Sequence, residues 1–405
     1  MCEFNLCAWR RRGVIEGWGA ATPPVRAMEH HHRFRRFLEQ IRLSPAQVHE
    51  LRRGHLELSG RLRQDPALRP HFVTTFLQGS YRRSTALRPL AGQDGSDVDL
   101  VLVTSLDPRK DEPEVALRLL RPFLQQHYPR VRVQDRSFRI TLDGVTLDLV
   151  LAAAPSRAAL ERLRGEARAE PLEDCFEPTD AELEAWKDEP LWIPDRAAQA
   201  WRRTHPLAQV ASTRTKNARC NQHYVNVVKA LKCWRLHAPG MPEHPKSYPL
   251  ERIVEECCPD EITSVEEGVV LTLEAIGRRF KSGRKPRLRA HGVRGTDVLE
   301  RVPEADFAAF LRCVGEAVVA ARAAFECEEP SESVAGWARL LGPEFPVEVS
   351  EAPRGRGKIV RVESAGPARS TEELVAFIME RGRLVVSGLE EVQRLKRALD
   401  KAVQQ

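Results

Sequence analysis

Two aspartates one residue apart at the head of an apolar run, Asp97 and Asp99 in SDVDLVLV, constrain this chain more than any other feature. The run is β-branched and reads as a strand, on which side chains two apart leave the same face. Carboxylates held that close repel, and burying them unpaired is costly. A fold that carries them must leave them in water at a charged strand start or turn, or present them to a cation. A third acid, Asp148, lies inside another apolar run, VTLDLVLA. If the two strands lie side by side, three carboxylates converge on a place suited to one or two Mg²⁺ ions, with Mn²⁺ as the substitute.

The text around these acids supplies the rest of a sheet. FVTTFLQ (72–78) reads as a strand running straight into Gly79-Ser80, and RVRVQ, SFRITL and VTLDLVLA read as three more up to about 152. Glycine after a strand permits close backbone approach, and the serine hydroxyl and nearby amides can donate to phosphate oxygens. Upstream, apolar residues recur at helical spacing from roughly 28 to 65 (Phe34, Leu38, Ile41, then Val48, Leu51, Leu56), with a break at Ser44-Pro45 that suits a new helix start. Beyond a Pro/Trp-rich connector (WKDEPLWIPD), helical patterns resume at about 196–215, 217–237, 247–257, 264–281, 303–327 and 331–341. Strands interleaved with helices point to an α/β or α+β lobe, and the helical stretches after it to a helical second lobe.

The expected organisation is an arm at 1–27, a sheet-bearing lobe with its leading helix at 28–195, a helical lobe at 196–346, a Pro/Gly/Arg-rich linker at 347–369 and a small tail at 370–405. Charged residues are 30% and hydrophobic ones 42% of 405, which excludes wholesale disorder. A formal net charge of +6 permits polyanionic ligands but falls short of a dedicated nucleic-acid binder. Nine scattered cysteines, with neither a secretory signal nor an apolar run near the roughly 18 residues of a membrane helix, predict a cytoplasmic protein with no membrane partner.

The sequence GS…SDVDLVLV with the later LDLVL resembles the nucleotidyltransferase fold of DNA polymerase β type. The wider pattern is similar to the CD-NTase family, the bacterial relatives of cyclic GMP-AMP synthase that make oligonucleotide signals in antiphage CBASS systems. WRRTHPLAQV…KN (201–217), YVNVVKALKCWR (224–235), KSYPLERIV (246–254), TDVLERVPEADFAAF (296–310) and WARLLGPEFP (337–346) follow the family's order, so the resemblance spans about residues 30–346. It implies a bilobal fold, a polymerase-β-like nucleotidyltransferase lobe with a helical second lobe. The implied activity condenses ATP and other nucleoside triphosphates into a cyclic di- or trinucleotide, read by a downstream effector and switched on by a regulatory protein or nucleic acid. Other enzymes of the superfamily that build linear oligonucleotides or extend RNA ends, and a catalytically silent nucleotide or RNA sensor, are the competing readings.

The resemblance makes Asp97, Asp99 and Asp148 both catalytic residues and ligands of two Mg²⁺ ions, with Asp148 nearest the attacking hydroxyl. Gln78, Gly79, Ser80, Lys229, Lys232 and Ser247 become nucleotide-binding candidates, with Lys232, two residues before Trp234, as a phosphate contact and Ser247 as a second one. Plainer readings stand beside each: a solvated stripe for Asn226, Lys229 and Lys232, an ordinary N-cap for Ser247, edge and cap positions for Gln78, Arg82 and Thr85. Asp297 lies near a nucleotide-contacting acid of the family, although the preceding HGVRG lacks the usual Asp-Pro. Tyr248 serves equally as core or as a base platform. His237, His244, Cys257 and Cys258 are zinc-type ligands, but their spacing is not that of a compact finger, and buried or surface thiols are the expectation.

Overall fold

The computed structural model describes residues 25–90, 96–142, 145–154, 156–159, 161 and 189–347, which fall in one compact unit ending at Val347. The arm before Val25, the tail and the linker beyond Val347 lie outside the described residues. Two helices open the chain, α1 (Val25–Ile41) and α2 (Pro45–Gln64). The break between them is the expected one: Ser44 caps α2, accepting from the Gln47 amide while the Gln47 side chain accepts from the Ser44 amide, and Pro45 fills a first-turn position that needs no N–H.

The sheet follows as β1 (Phe72–Gln78), a single turn of helix α3 (Gly79–Arg82), β2 (Ser96–Thr104), the short helices α4 (Pro113–Arg118) and α5 (Arg121–His127), β3 (Val131–Val133), β4 (Phe138–Thr141) and β5 (Val145–Ala153). Its order is β1-β2-β5-β4-β3, with β2 and β5 parallel and their neighbours antiparallel. Alternation sorts the side chains. Val98, Leu100, Leu102, Leu147, Leu149 and Leu151 face Leu51, Leu58 and Leu62 of α2, each fully buried leucine contributing about 1.5–3 kcal/mol. Val101, Val103, Val150 and Ala152 form the opposite face, and Asp97, Asp99 and Asp148 continue those rows by period 2.

Two strands lie where the sequence predicts a connector and then a helix at 196–215. Leu191–Asp195 (β6) and Ala200–Thr204 (β7) form an antiparallel hairpin that joins β5 only through Ala153 opposite Trp192. The expected boundary after residue 195 thus falls inside the hairpin, and helix begins at Pro206. Burial of Leu191 and Ile193 against Val103 and Val150 outweighs the weak helical pattern.

The remaining elements are α6 (Pro206–Arg219), α7 (Tyr224–His237), α8 (Ser247–Cys257), α9 (Val265–Arg279), α10 (Glu304–Glu326) and α11 (Pro330–Leu341). Their core also takes in Phe34, Phe37, Leu38 and Ile41 of α1. Phe34 meets Trp337 edge-on at 4.9 Å and Phe345 at 5.2 Å. The helix that leads into the sheet lobe by sequence therefore packs with the helical lobe, where its aromatic stripe is buried.

Candidate active site

The β2–β5 register sets Asp99 directly beside Asp148 and Asp97 beside Thr146. On the other side of β2, Gln78 pairs with Asp99, so the Gly79-Ser80 turn closes over that aspartate. Gly79 has φ +76°, and a Cβ there would fall 1.8 Å from Asp99 Oδ2. No L side chain fits, which explains physically why glycine precedes the acids. Thr85, fully buried, donates its amide to Ser80 O at 2.9 Å and ties the end of the turn back on itself.

The three acids differ in environment. Asp97 is 48% exposed and Asp148 13%. Burial first, and then the charge of Asp148, push Asp99 up to about 7, against the pull of Arg83. The sequence reading missed the cation that stands among them. Arg139, opposite Asp148 on β4, donates Nε to Asp148 Oδ1 at 3.0 Å and Nη2 to Oδ2 at 2.8 Å, with the same Nη2 3.4 Å from Asp97 Oδ2. SFRIT held the signal: with Phe138 and Ile140 buried on the α2 face, Arg139 must point to the face of Asp148. Three carboxylates on one face, one of them resisting ionisation because it is buried and stands beside the charge of Asp148, suit a divalent cation of the magnesium type.

A second, cationic group approaches from the helical lobe. Glu251 on α8 holds Arg83 through Nε at 2.9 Å and Nη2 at 3.2 Å, and Lys232 Nζ lies 2.6 Å from its Oε1. All three side chains are buried or nearly so, at 5%, 5% and 13% exposure for Glu251, Arg83 and Lys232. Lys232 also donates to Thr85 O at 3.1 Å, so the lysine predicted to meet phosphate stands against the Gly-Ser segment. Asp99 is close enough for its charge to act on both Arg83 and Lys232. Burial opposes ionisation of Glu251, but Arg83 and Lys232 overcome it and hold the acid down at about 2. Lys229, one turn earlier and half-buried, has no acid partner among the described residues, and burial with Arg42 and Lys232 nearby lowers it to about 8.

Ser247 is exposed at the first position of α8 with φ +28°, and no side chain caps that helix, so the plain N-cap reading does not describe it. Tyr248 is half-buried under the Arg83 guanidinium at 5.2 Å. Asp297 is elsewhere engaged: its Oδ1 accepts the amides of Leu288 and Leu299, each at 3.0 Å. The four zinc-type residues do not assemble. Cys257 and Cys258 are buried thiols, and His244 pairs with Asp306 at 3.2 Å.

This sheet, with its acids on β2 and β5 and a cationic helix facing them, defines a nucleotidyltransferase of polymerase-β type. Comparison with known proteins agrees. Residues 28–157 match the "Second Messenger Oligonucleotide or Dinucleotide Synthetase domain". A "Cyclic AMP-AMP-GMP synthase" of Enterobacter hormaechei subsp. hoffmannii is 38% identical over 79% of this chain and 93% of its own. Among solved structures, CdnC of E. coli MS115-1 in complex with HORMA-deltaN shares the fold (TM-score 0.54, 17% identity, 79% of this chain, 99% of that one). So does the Bradyrhizobium diazoefficiens CD-NTase CdnG in complex with GTP (TM-score 0.57, 15% identity, 76% and 94%). The chain belongs to the CD-NTase family of oligonucleotide second-messenger synthases. No helix among its described residues is long and apolar enough to cross a membrane.

Proposed function

We propose that this enzyme joins ATP and GTP into a cyclic trinucleotide, using Mg²⁺ held by Asp97, Asp99 and Asp148. The observation that carries the reading is the β2–β5 register, which sets Asp99 beside Asp148 at the Gly79-Ser80 turn. The choice of product rests on the 38% identity to a cyclic AMP-AMP-GMP synthase. Bound there, the two ions would acidify the attacking ribose hydroxyl and neutralise the triphosphate. Asp148, oriented by Arg139, is the acid assigned to the attacking hydroxyl. Lys232, Lys229 and Ser247, with Gln78 and Ser80, hold the triphosphate chain, whose charge complements Lys229, which has no acid partner among the described residues, and Lys232, which shares Glu251 with Arg83. Each bond forms between a ribose oxygen and an α-phosphorus, the hydroxyl proton is lost and pyrophosphate leaves. Such a product suits a signalling role in antiphage defence, with a protein partner, as CdnC has HORMA-deltaN, that regulates the enzyme and a separate effector that binds the nucleotide.

Pyrophosphate release from mixed nucleoside triphosphates tests this directly. Release with Mg²⁺, none with a chelator, and a loss of at least about 10³-fold in Asp99→Asn at unchanged fold are expected. Full activity in Asp99→Asn or in chelator would refute the metal-site reading.

A further inference from the structure

Helix α7 bears a second chemical group away from its lysines. Cys233 and His237 are four residues apart and so share one face. Glu344, just past α11, reaches both. Its Oε2 lies 2.8 Å from His237 Nε2 and 3.9 Å from Cys233 Sγ, and the three donor atoms all fall within 4.8 Å of one another. The group is enclosed: Cys233 is 0% exposed, Glu344 11% and His237 25% at the side chain.

Two details separate this cluster from an ordinary ion pair. The imidazole Nε2 is buried and close to the carboxylate, yet the two are not aligned as a hydrogen bond. The loop that delivers Glu344 is also closed tightly on the ring. Gly342 has φ +94°, and a Cβ there would come 2.2 Å from His237 Cδ2. Cys233 Sγ reaches back to Leu341 O at 3.3 Å, so backbone and side chains on both sides of Gly342 face the same point.

We propose that Cys233, His237 and Glu344 form a binding site for a divalent transition metal of the zinc class, with water completing a four-coordinate shell. The mixed sulfur, nitrogen and oxygen set suits such a borderline ion and is foreign to Mg²⁺, which distinguishes this site chemically from the three aspartates. Ligand atoms around tetrahedral zinc stand about 3.3–3.6 Å apart, so binding would part the 2.8 Å pair by about half an ångström or more, draw in the 3.9 Å pair by about 0.4 Å and bring the sulfur and nitrogen, now within 4.8 Å, into the same range. Binding forms a metal–sulfur bond and releases the thiol proton to solvent, which makes affinity rise with pH. The metal clips the chain after α11 to α7, the helix that carries Lys229 and Lys232. Its role is structural and independent of the proposed reaction.

Cobalt(II) titration of the full-length protein, stripped of metal and kept reduced, tests the site. One equivalent should bind with thiolate-to-cobalt absorption in the near ultraviolet and tetrahedral d–d bands, displaced by Zn²⁺. Cys233→Ser should abolish the near-ultraviolet band, and Glu344→Gln should weaken binding by about tenfold or more. Asp148→Asn should leave the spectrum unchanged, which separates this site from the aspartates. Glu344→Gln keeps the proposal testable if Cys233→Ser folds poorly. Absence of the bands in the parent protein, or bands that survive both Cys233→Ser and Glu344→Gln, would overturn the proposal.

Discussion

Arg139 occupies the place among the acids where positive charge is needed, and its bidentate hold on Asp148 fixes the orientation of that carboxylate. A lysine keeps the charge but cannot keep the fork. We therefore expect Arg139→Lys to retain the fold and lose about tenfold or more in kcat, with KM for the triphosphate changed less, and Arg139→Ala to lose more. Steady-state kinetics beside thermal unfolding checks this; equal kcat in parent and Arg139→Lys would show that orientation of Asp148 does not matter. The grouping of Asp97 with Asp99 was legible in the sequence because side chains two apart on one strand share a face, and Asp148 stood out as an acid inside an apolar run. Arg139 was not legible, because its meaning depends on the β4–β5 register, which places it opposite Asp148 and which a single sequence does not state.

At the scale of elements, Lys232 of α7 depends on Glu251 of α8. Glu251 is held down at about 2 by Arg83 and Lys232, against an ordinary value of 4.5. Below 4.5 the unfolded chain binds a proton that the folded chain does not, so stability is present above that pH and lost as pH falls toward about 2. The loss is roughly 3 kcal/mol. In urea titrations between pH 5 and pH 2.5, Glu251→Gln should show a flatter acid slope and, at neutral pH, a stability lower by about 3–5 kcal/mol because two buried cations lose their anion. An unchanged acid slope would remove Glu251 from that role. A helix at 217–237 was readable from its periodicity, although the structure ends one helix at Arg219 and starts α7 at Tyr224 after a turn; α8 to α11 were readable as well. The partner of Lys232 lay 19 residues away on another helix, and no spacing rule connects the two. The β6–β7 hairpin was hidden for a related reason: it is a strand pair by virtue of the surface it covers, not by its own pattern.

For the whole molecule, ion pairs fasten the sheet to the helical lobe at two separate places. Arg83, just beyond α3, reaches Glu251, and Arg301, ahead of α10, reaches Asp195 at 2.6 Å and Asp135 at 3.0 Å. The bilobal plan was legible from the change of residue pattern after about 155. The membership of α1 was not, because Phe34 and Phe37 show that an aromatic stripe needs a deep surface without showing which lobe provides it. Together the lobes bring three acids, a glycine-tight turn and Lys232 close to one another, and it is here that we propose nucleotides are closed into a ring. Mass spectrometry of the product formed from all four nucleoside triphosphates with Mg²⁺ tests it most directly. A phosphatase-resistant cyclic trinucleotide of adenosine and guanosine, absent with Asp99→Asn, is expected; linear products with free triphosphate ends as the sole species would refute ring closure.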